Sequence, residues 1–145
     1  MQDKRLRDAV GFGLVRAFRA VNRAHNRALR PLGLSAEQAH ILIVLWLDGP
    51  MKVGELQRLL ALSSATLTGA IDRMEKVGLV RRIPDPDDRR AFRLEPGRID
   101  GRRRRAVEDM LEQTEERCFS ALTKSERQKL FELLEKVARA IPDDA

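Results

Sequence analysis

The chain has 145 residues, a net charge of +6 and a single cysteine. That length suits one domain, which at this size buries about two-thirds of its unfolded surface. One cysteine excludes an internal disulfide framework and cannot assemble a zinc site alone. No run reaches the ~18 apolar residues of a membrane span. Met1-Gln-Asp-Lys-Arg leads into a charged segment rather than the apolar core of a signal peptide, so a cytoplasmic protein is expected. No nucleophile–base pair, phosphate loop or metal cluster is visible; neither an enzyme nor a cofactor or metal is expected.

In chain order, Val10, Leu14, Phe18, Val21, His25 and Leu29 recur at steps of three and four. This is one stripe of a long helix, stopped by Pro31 and Gly33. Ser35 with Gln38 forms a capping box for a second helix through Leu47, which is apolar nearly all round and should be sandwiched. Asp48-Gly49-Pro50 stops it, and Met51 to Val53 reads as a short extended piece.

Leu56, Leu59 and Leu60 mark a short helix, and Ala61-Leu62-Ser63 a turn. Leu67, Ala70, Ile71 and Met74 form the inner face of another helix, ended by Gly78. Leu79 to Ile83 and Ala91 to Leu94 read as strands around Pro84-Asp-Pro-Asp-Asp-Arg-Arg90, a hairpin. From Arg98 the pattern is helical again, with Val107, Met110, Leu111, Thr114, Cys118 and Ala121 on one side. Thr123 with Glu126 opens a last helix carrying Leu130, Leu133, Leu134, Val137 and Ile141.

The expected architecture is mainly α with a small β-hairpin wing. Residues 1–34 form an N-terminal dimerisation helix, 35–97 a winged helix-turn-helix and 98–145 the C-terminal dimerisation helices. The dimer is expected because the terminal helices carry wide apolar faces that would leave a large patch in water.

Charge is focused rather than spread. Between Arg73 and Arg105 stand twelve Lys/Arg and six acids, so this stretch holds the whole surplus of six. Clustered cations are the electrostatic footprint of nucleic-acid binding; a merely solvated basic surface would be more even. With Leu67, Ile71 and Met74 turned inward, Ser64, Ala65, Thr66, Thr68, Gly69, Asp72 and Arg73 face out, as major-groove readers would. The plainer reading makes Ser63 or Ser64 an N-cap and Thr66 a surface residue. In the wing, Asp85, Asp87 and Asp88 suit a role as orienters that hold the guanidiniums of Arg89 and Arg90 extended; a self-neutralising solvated turn is the alternative.

Val53-Gly-Glu-Leu, then Leu62-Ser-Ser-Ala-Thr-Leu-Thr-Gly-Ala-Ile-Asp-Arg-Met-Glu-Lys-Val-Gly-Leu-Val-Arg-Arg82, then Pro86-Asp-Asp-Arg-Arg-Ala91 resemble the multiple-antibiotic-resistance regulator (MarR) family. The resemblance implies a homodimeric, sequence-specific regulator of transcription that binds double-stranded DNA, often a repressor relieved by a small aromatic or anionic effector. It makes Arg90 the minor-groove finger and Asp88 its orienting partner. It places major-groove contacts at Ser64, Ala65, Thr66 and Thr68; Arg73, on the outward face of the helix, and Arg89, in the wing, complete the expected DNA-binding set. Gly69 departs from the family, some members of which carry an Arg there. Glu95-Pro96-Gly97-Arg98 departs too, where Leu-Thr and a Gly are usual.

Arg102 to Arg105 sit near a helix start, where cations oppose the macrodipole; a solvated face or a phosphate contact would each account for them. Cys118 lies on an apolar stripe and suits a small buried hydrophobe, with a thiol switch as the rarer reading. His25, His40 and Trp46 suit the core, or a pocket beside it, better than a metal site. The rival function is a winged helix that docks on another protein without specific DNA binding.

Overall fold

A computed structural model describes residues 2–142, and side-chain surroundings from residue 5 onward. Its elements are α1 (Gln2–Arg7), α2 (Val10–Leu29), a 3-10 turn (Arg30–Leu32), α3 (Ala36–Asp48), β1 (Met51–Lys52), α4 (Val53–Leu60), α5 (Ser64–Lys76), β2 (Val80–Pro84), β3 (Phe92–Pro96), α6 (Gly101–Cys118) and α7 (Lys124–Ala140). The mainly helical chain with its hairpin is as expected. The short α1 has no apolar period to announce it.

Local chemistry sets the helix starts. Ser35 Oγ accepts from the Gln38 N–H (3.2 Å) while the Ser35 N–H donates to Gln38 Oε1 (3.1 Å). Thr123 and Glu126 repeat the arrangement at α7. Both satisfy helix-end donors that would otherwise lack partners. Asn26 of α2 extends the first cap, its Oδ1 accepting from the Ala36 N–H (2.9 Å) and so tying α2 to the start of α3.

Seventeen apolar residues form one core. α3 contributes Ala36, Ala39, Ile41, Leu42 and Leu45, α4 contributes Leu56, and α5 contributes Leu67, Ala70, Ile71 and Met74. Met51, Val80 and Leu94 close it from the sheet, Leu29 from α2 and Val107 from α6. Two expectations need correction. Leu59 lies on the solvent side of α4, so Leu56 alone anchors that helix fully, and α3 is covered on less than its whole girth because Leu47 is exposed.

The sheet order is β1-β3-β2, antiparallel throughout. Met51 pairs with Leu94 and Lys52 with Arg93, so the short extended piece is a third strand, and Val53 already belongs to α4. β3 runs on through Glu95 and Pro96, which pair with Arg81 and Val80. That extension delays α6 to Gly101, capped by Asp100, three residues beyond the expected start at Arg98.

Two glycines fasten α5 to the sheet. Gly78 ends the helix at φ +76°, a backbone region open to glycine at little cost. Its carbonyl then presses on Gly97, whose N–H donates to Leu79 O at 2.8 Å. A Cβ on residue 97 would overlap the Gly78 carbonyl oxygen and lie 2.9 Å from its carbon. Both atoms are main chain and cannot rotate aside.

Two segments stand apart from the core. Val10, Phe12, Leu14, Val15 and Phe18 on α2 are exposed, and α7 buries none of its residues, leaving Phe131, Leu133, Leu134 and Val137 open to water.

Gly97→Ala is expected to cost about 1–3 kcal/mol, the range for overpacking a site that cannot yield. Urea unfolding of the variant against the parent measures it, and an unchanged midpoint would show that the close approach is relaxed in solution.

Candidate nucleic-acid interface

α5 divides as the sequence implies. Leu67, Ala70, Ile71 and Met74 are buried, while Ser64, Ala65, Thr66, Thr68, Asp72 and Arg73 are exposed along the opposite face. Ser63 is the N-cap: its Oγ accepts from the Thr66 N–H (3.2 Å) and its hydroxyl donates to Thr66 Oγ1 (2.8 Å). Thr66 is thereby tied to the cap while its side chain stays exposed. Capping falls to Ser63, so Ser64 is free to face outward. Arg73 folds back over Gly69, its Nη1 3.3 Å from where a Cβ on residue 69 would stand. The missing side chain at position 69 therefore makes room for a guanidinium lying along the outer face.

The first turn of α5 follows α4 through Ala61, which adopts the left-handed conformation (φ 51°). Such a backbone costs a non-glycine residue roughly 1 kcal/mol, held here by the packing on either side.

Arg82 joins α5 to the wing. It sits on the helix-facing side of β2, opposite Leu94. One guanidinium nitrogen bonds Asp72 Oδ1 at 2.7 Å, another bonds Glu75 Oε1, and the group lies 5.3 Å from the centre of the Phe92 ring. The bond to Asp72, with Glu75 beside it, raises the Arg82 pKa further above its ordinary value, and the side chain stays charged. Arg82 thereby offsets part of the negative charge of Asp72 and Glu75, and Arg73 makes no ion pair among the described residues. On the other face of the hairpin, Arg81 pairs with Glu95 directly across the strands.

The wing turn is held by carboxylates, although not in the expected manner. Asp88 Oδ1 accepts from the Arg90 backbone N–H at 2.9 Å. Asp85 Oδ1 accepts from the N–H groups of Asp87 (2.8 Å) and Asp88 (3.1 Å), and its Oδ2 meets Arg93 Nε at 3.1 Å. Among the described residues no carboxylate lies within ion-pair distance of the Arg89 or Arg90 guanidinium. The acids fix the main chain beneath the two arginines and leave their side chains exposed. The physical reason is that three N–H groups in a tight turn lack ladder partners, and a short Asp side chain reaches them. The Asp87 N–H first, then Arg93 and Lys52, hold the Asp85 carboxyl below the ordinary carboxylate range, against the cost of removing it from water.

The four arginines at the start of α6 divide in two. Arg103 Nη2 donates to Leu32 O (3.2 Å), and Arg104 bonds Glu108 (2.8 Å) while stacking over Trp46 at 5.1 Å. These two fasten α6 to the 3-10 turn and to α3. Arg102 and Arg105 are exposed. His25 is buried with its ring edge-on to His40 at 5.8 Å, and Cys118 is half-buried. An open cleft of about 760 Å³ between α2 and α6 mixes Arg27 and Arg117 with Asp109, Glu112 and Glu116. Among the described residues no group of three or more His, Cys, Asp or Glu could hold a metal ion, and no helix is long and apolar enough to cross a membrane.

The sequence reading missed two features: the Arg82 clamp, and the position of Asp85 below the turn. Asp72 and Glu75 lie in a helix and Arg82 in a strand, so no single period relates them. The Lys52 to Arg93 register becomes visible only once β1 is known to pair with β3.

Residues 34–92 match the family model described as MarR family. Over 72 residues the chain is 39% identical to an HTH-type transcriptional regulator of Bacillus subtilis, YcgE, a stretch covering 50% of this chain and 47% of the relative. The chain thus spans about half the length of that curated relative. A mutant MarR from E. coli complexed with operator DNA superposes with a TM-score of 0.79 at 24% identity, over 88% of this chain and 92% of the other, which is a likeness of fold. BpsR of Bordetella bronchiseptica, described with the regulation of its DNA binding by 6-hydroxynicotinic acid, gives 0.78 at 26% identity over 91% and 94%. The helix-turn-helix of α4 and α5, the wing with Asp88 and Arg90, and the matched stretch agree: residues 34–92 are similar to the MarR family, and the chain has the winged helix-turn-helix fold of MarR from E. coli.

Proposed function

We propose that the protein is a homodimeric, sequence-specific DNA-binding regulator of transcription, acting as a repressor in the cytoplasm. The observations that carry this reading are the exposed outer face of α5 and the exposed arginines of the wing. Ser64, Ala65, Thr66, Thr68 and Arg73 line a helix of the width a major groove admits. Arg89 and Arg90 project from a turn whose main chain is fixed, and an arginine so held suits the narrow, strongly negative minor groove of A·T-rich DNA. The same geometry argues against a winged helix that merely docks on a protein, since a protein partner would not call for exposed groups suited to both grooves.

Homodimerisation is supported by the exposed apolar faces of α2 and α7. A helix of seventeen residues with none buried needs a partner surface, and a second copy supplies matching ones. Relief by a small aromatic anion rests on family likeness and on what is printed of BpsR. A gel shift over a panel of aromatic acids tests that element, one member being expected to release the retarded band.

The principal test is selection of binding sites from random duplex DNA, followed by titration of the selected site at several salt concentrations. A twofold site is expected, with half-sites about 10 base pairs apart. If a dimer neutralises about eight phosphates, log K should fall against log[salt] with a slope near −7. Arg90→Ala should weaken binding by about 10- to 100-fold, and the slope should lessen by up to about two units for the two wings. Equal affinity in the variant would remove Arg90 from the interface, and indifference to every duplex would favour a protein partner.

Assembly is checked separately. Leu134→Lys combined with Val137→Lys places charge on the open face of α7. Sedimentation velocity should then show a monomer where the parent sediments as a dimer, and an unchanged species would rule out this face as the interface.

A further inference from the structure

The sheet sets two cations face to face. Lys52 and Arg93 occupy directly opposite positions of the β1–β3 pair, on the side away from the helices. Like charges so placed destabilise a strand pair unless an anion lies between them. Asp85 supplies it: Oδ2 stands 3.1 Å from Arg93 Nε and 3.7 Å from Lys52 Nζ, and its side chain has no exposed surface. The other carboxylate oxygen, Oδ1, accepts the two N–H groups of Asp87 and Asp88. The Asp85 N–H in turn donates to Ala91 O (3.2 Å), closing the turn that carries Arg89 and Arg90. Asp88, held by Asp85, accepts from the Arg90 N–H. One carboxylate therefore relieves a repulsion in the three-stranded sheet and starts a relay of backbone bonds that ends at the wing arginine.

We propose that Asp85 is the positioning residue of the wing, coupling the charge balance of β1 and β3 to the placement of Arg90. The proposal rests on the DNA-binding reading for its consequence, although its geometric half can be tested without DNA. Asp85 is acidic and shielded, and it contributes nothing attractive to a polyanion. Removing it raises the charge of the binding surface, so a field effect alone would tighten DNA binding. A positioning role predicts the opposite sign.

Three variants separate the effects. Asp85→Ala removes both functions of the carboxylate. Asp85→Asn keeps an oxygen for the Asp87 and Asp88 N–H groups but turns an amide toward Lys52 and Arg93. Arg90→Ala removes the group being positioned. Amide exchange of the free protein is read first: in Asp85→Ala the protons of Asp87, Asp88 and Arg90 should exchange faster, with less change in Asp85→Asn. Binding to the selected duplex is read next by fluorescence anisotropy. Asp85→Ala should weaken it about tenfold, within the range for losing one specific arginine contact, and Asp85→Asn by less. In the Arg90→Ala background the further loss on Asp85→Ala should fall below about twofold, because the interaction is already gone.

Unchanged exchange at Asp87 and Asp88 would overturn the proposal, as would tighter DNA binding or an equal loss in both backgrounds. If Asp85→Ala does not fold, the Asp85→Asn variant and its double with Arg90→Ala carry the same comparisons. Should the parent bind no duplex, the DNA-binding reading fails, while the exchange measurement still decides whether Asp85 holds the turn.

Discussion

The candidate interface depends on α5 and the hairpin sharing one core. Leu67, Ala70, Ile71 and Met74 are buried together with Val80 and Leu94, so the helix and the strands cannot be placed independently. Burying an aliphatic side chain contributes roughly 1.5–3 kcal/mol, so these six account for far more stabilisation than any surface pair in the region. The polar contacts select a geometry within that frame. Arg82 reaches Asp72 and Glu75 because Leu94, directly opposite it, is drawn into the core and carries that face of the sheet toward the helix.

Much of this was legible in the residues. The inner stripe of α5 follows from spacing alone, and so does the exposure of Ser64, Thr66, Thr68 and Arg73, because a helix with one face buried must show the other. Both capping boxes and the Gly78 stop are local signals and stand where they were read. Other features required tertiary knowledge. Leu59 looked like a core residue because one turn of helix gives too few positions to fix a phase, and only Leu56 proved fully buried. The start of α6 was misplaced because the pairing of Glu95 and Pro96 with β2 is a cross-strand fact that no local pattern carries.

The wing shows the same division. That three Asp stand beside two Arg in a tight turn is plain in the sequence, and the natural inference is that opposite charges bond through their side chains. In the folded chain the carboxylates turn inward to backbone N–H groups and to Arg93, and the guanidiniums of Arg89 and Arg90 are left to solvent. Unsatisfied main-chain donors outrank surface ion pairs because an exposed pair has water as a near-equal alternative. The charge count points to one stretch of the chain as the cationic region. It could not say which cations are committed internally, as Arg82, Arg93, Arg103 and Arg104 are.

The close contact between Gly78 and Gly97 has a mechanical meaning as well as a steric one. It joins the last turn of α5 to the end of β3 by main chain alone, with no side chain in between to act as a spring. The Arg82 clamp to Asp72 and Glu75 in the second half of α5 and this contact just beyond the helix both join it to the hairpin. Moving one is therefore expected to carry the other, and tilting or translating the pair meets less resistance than bending it. Any control of such a module would then work through its position, in the way a key is withdrawn rather than recut.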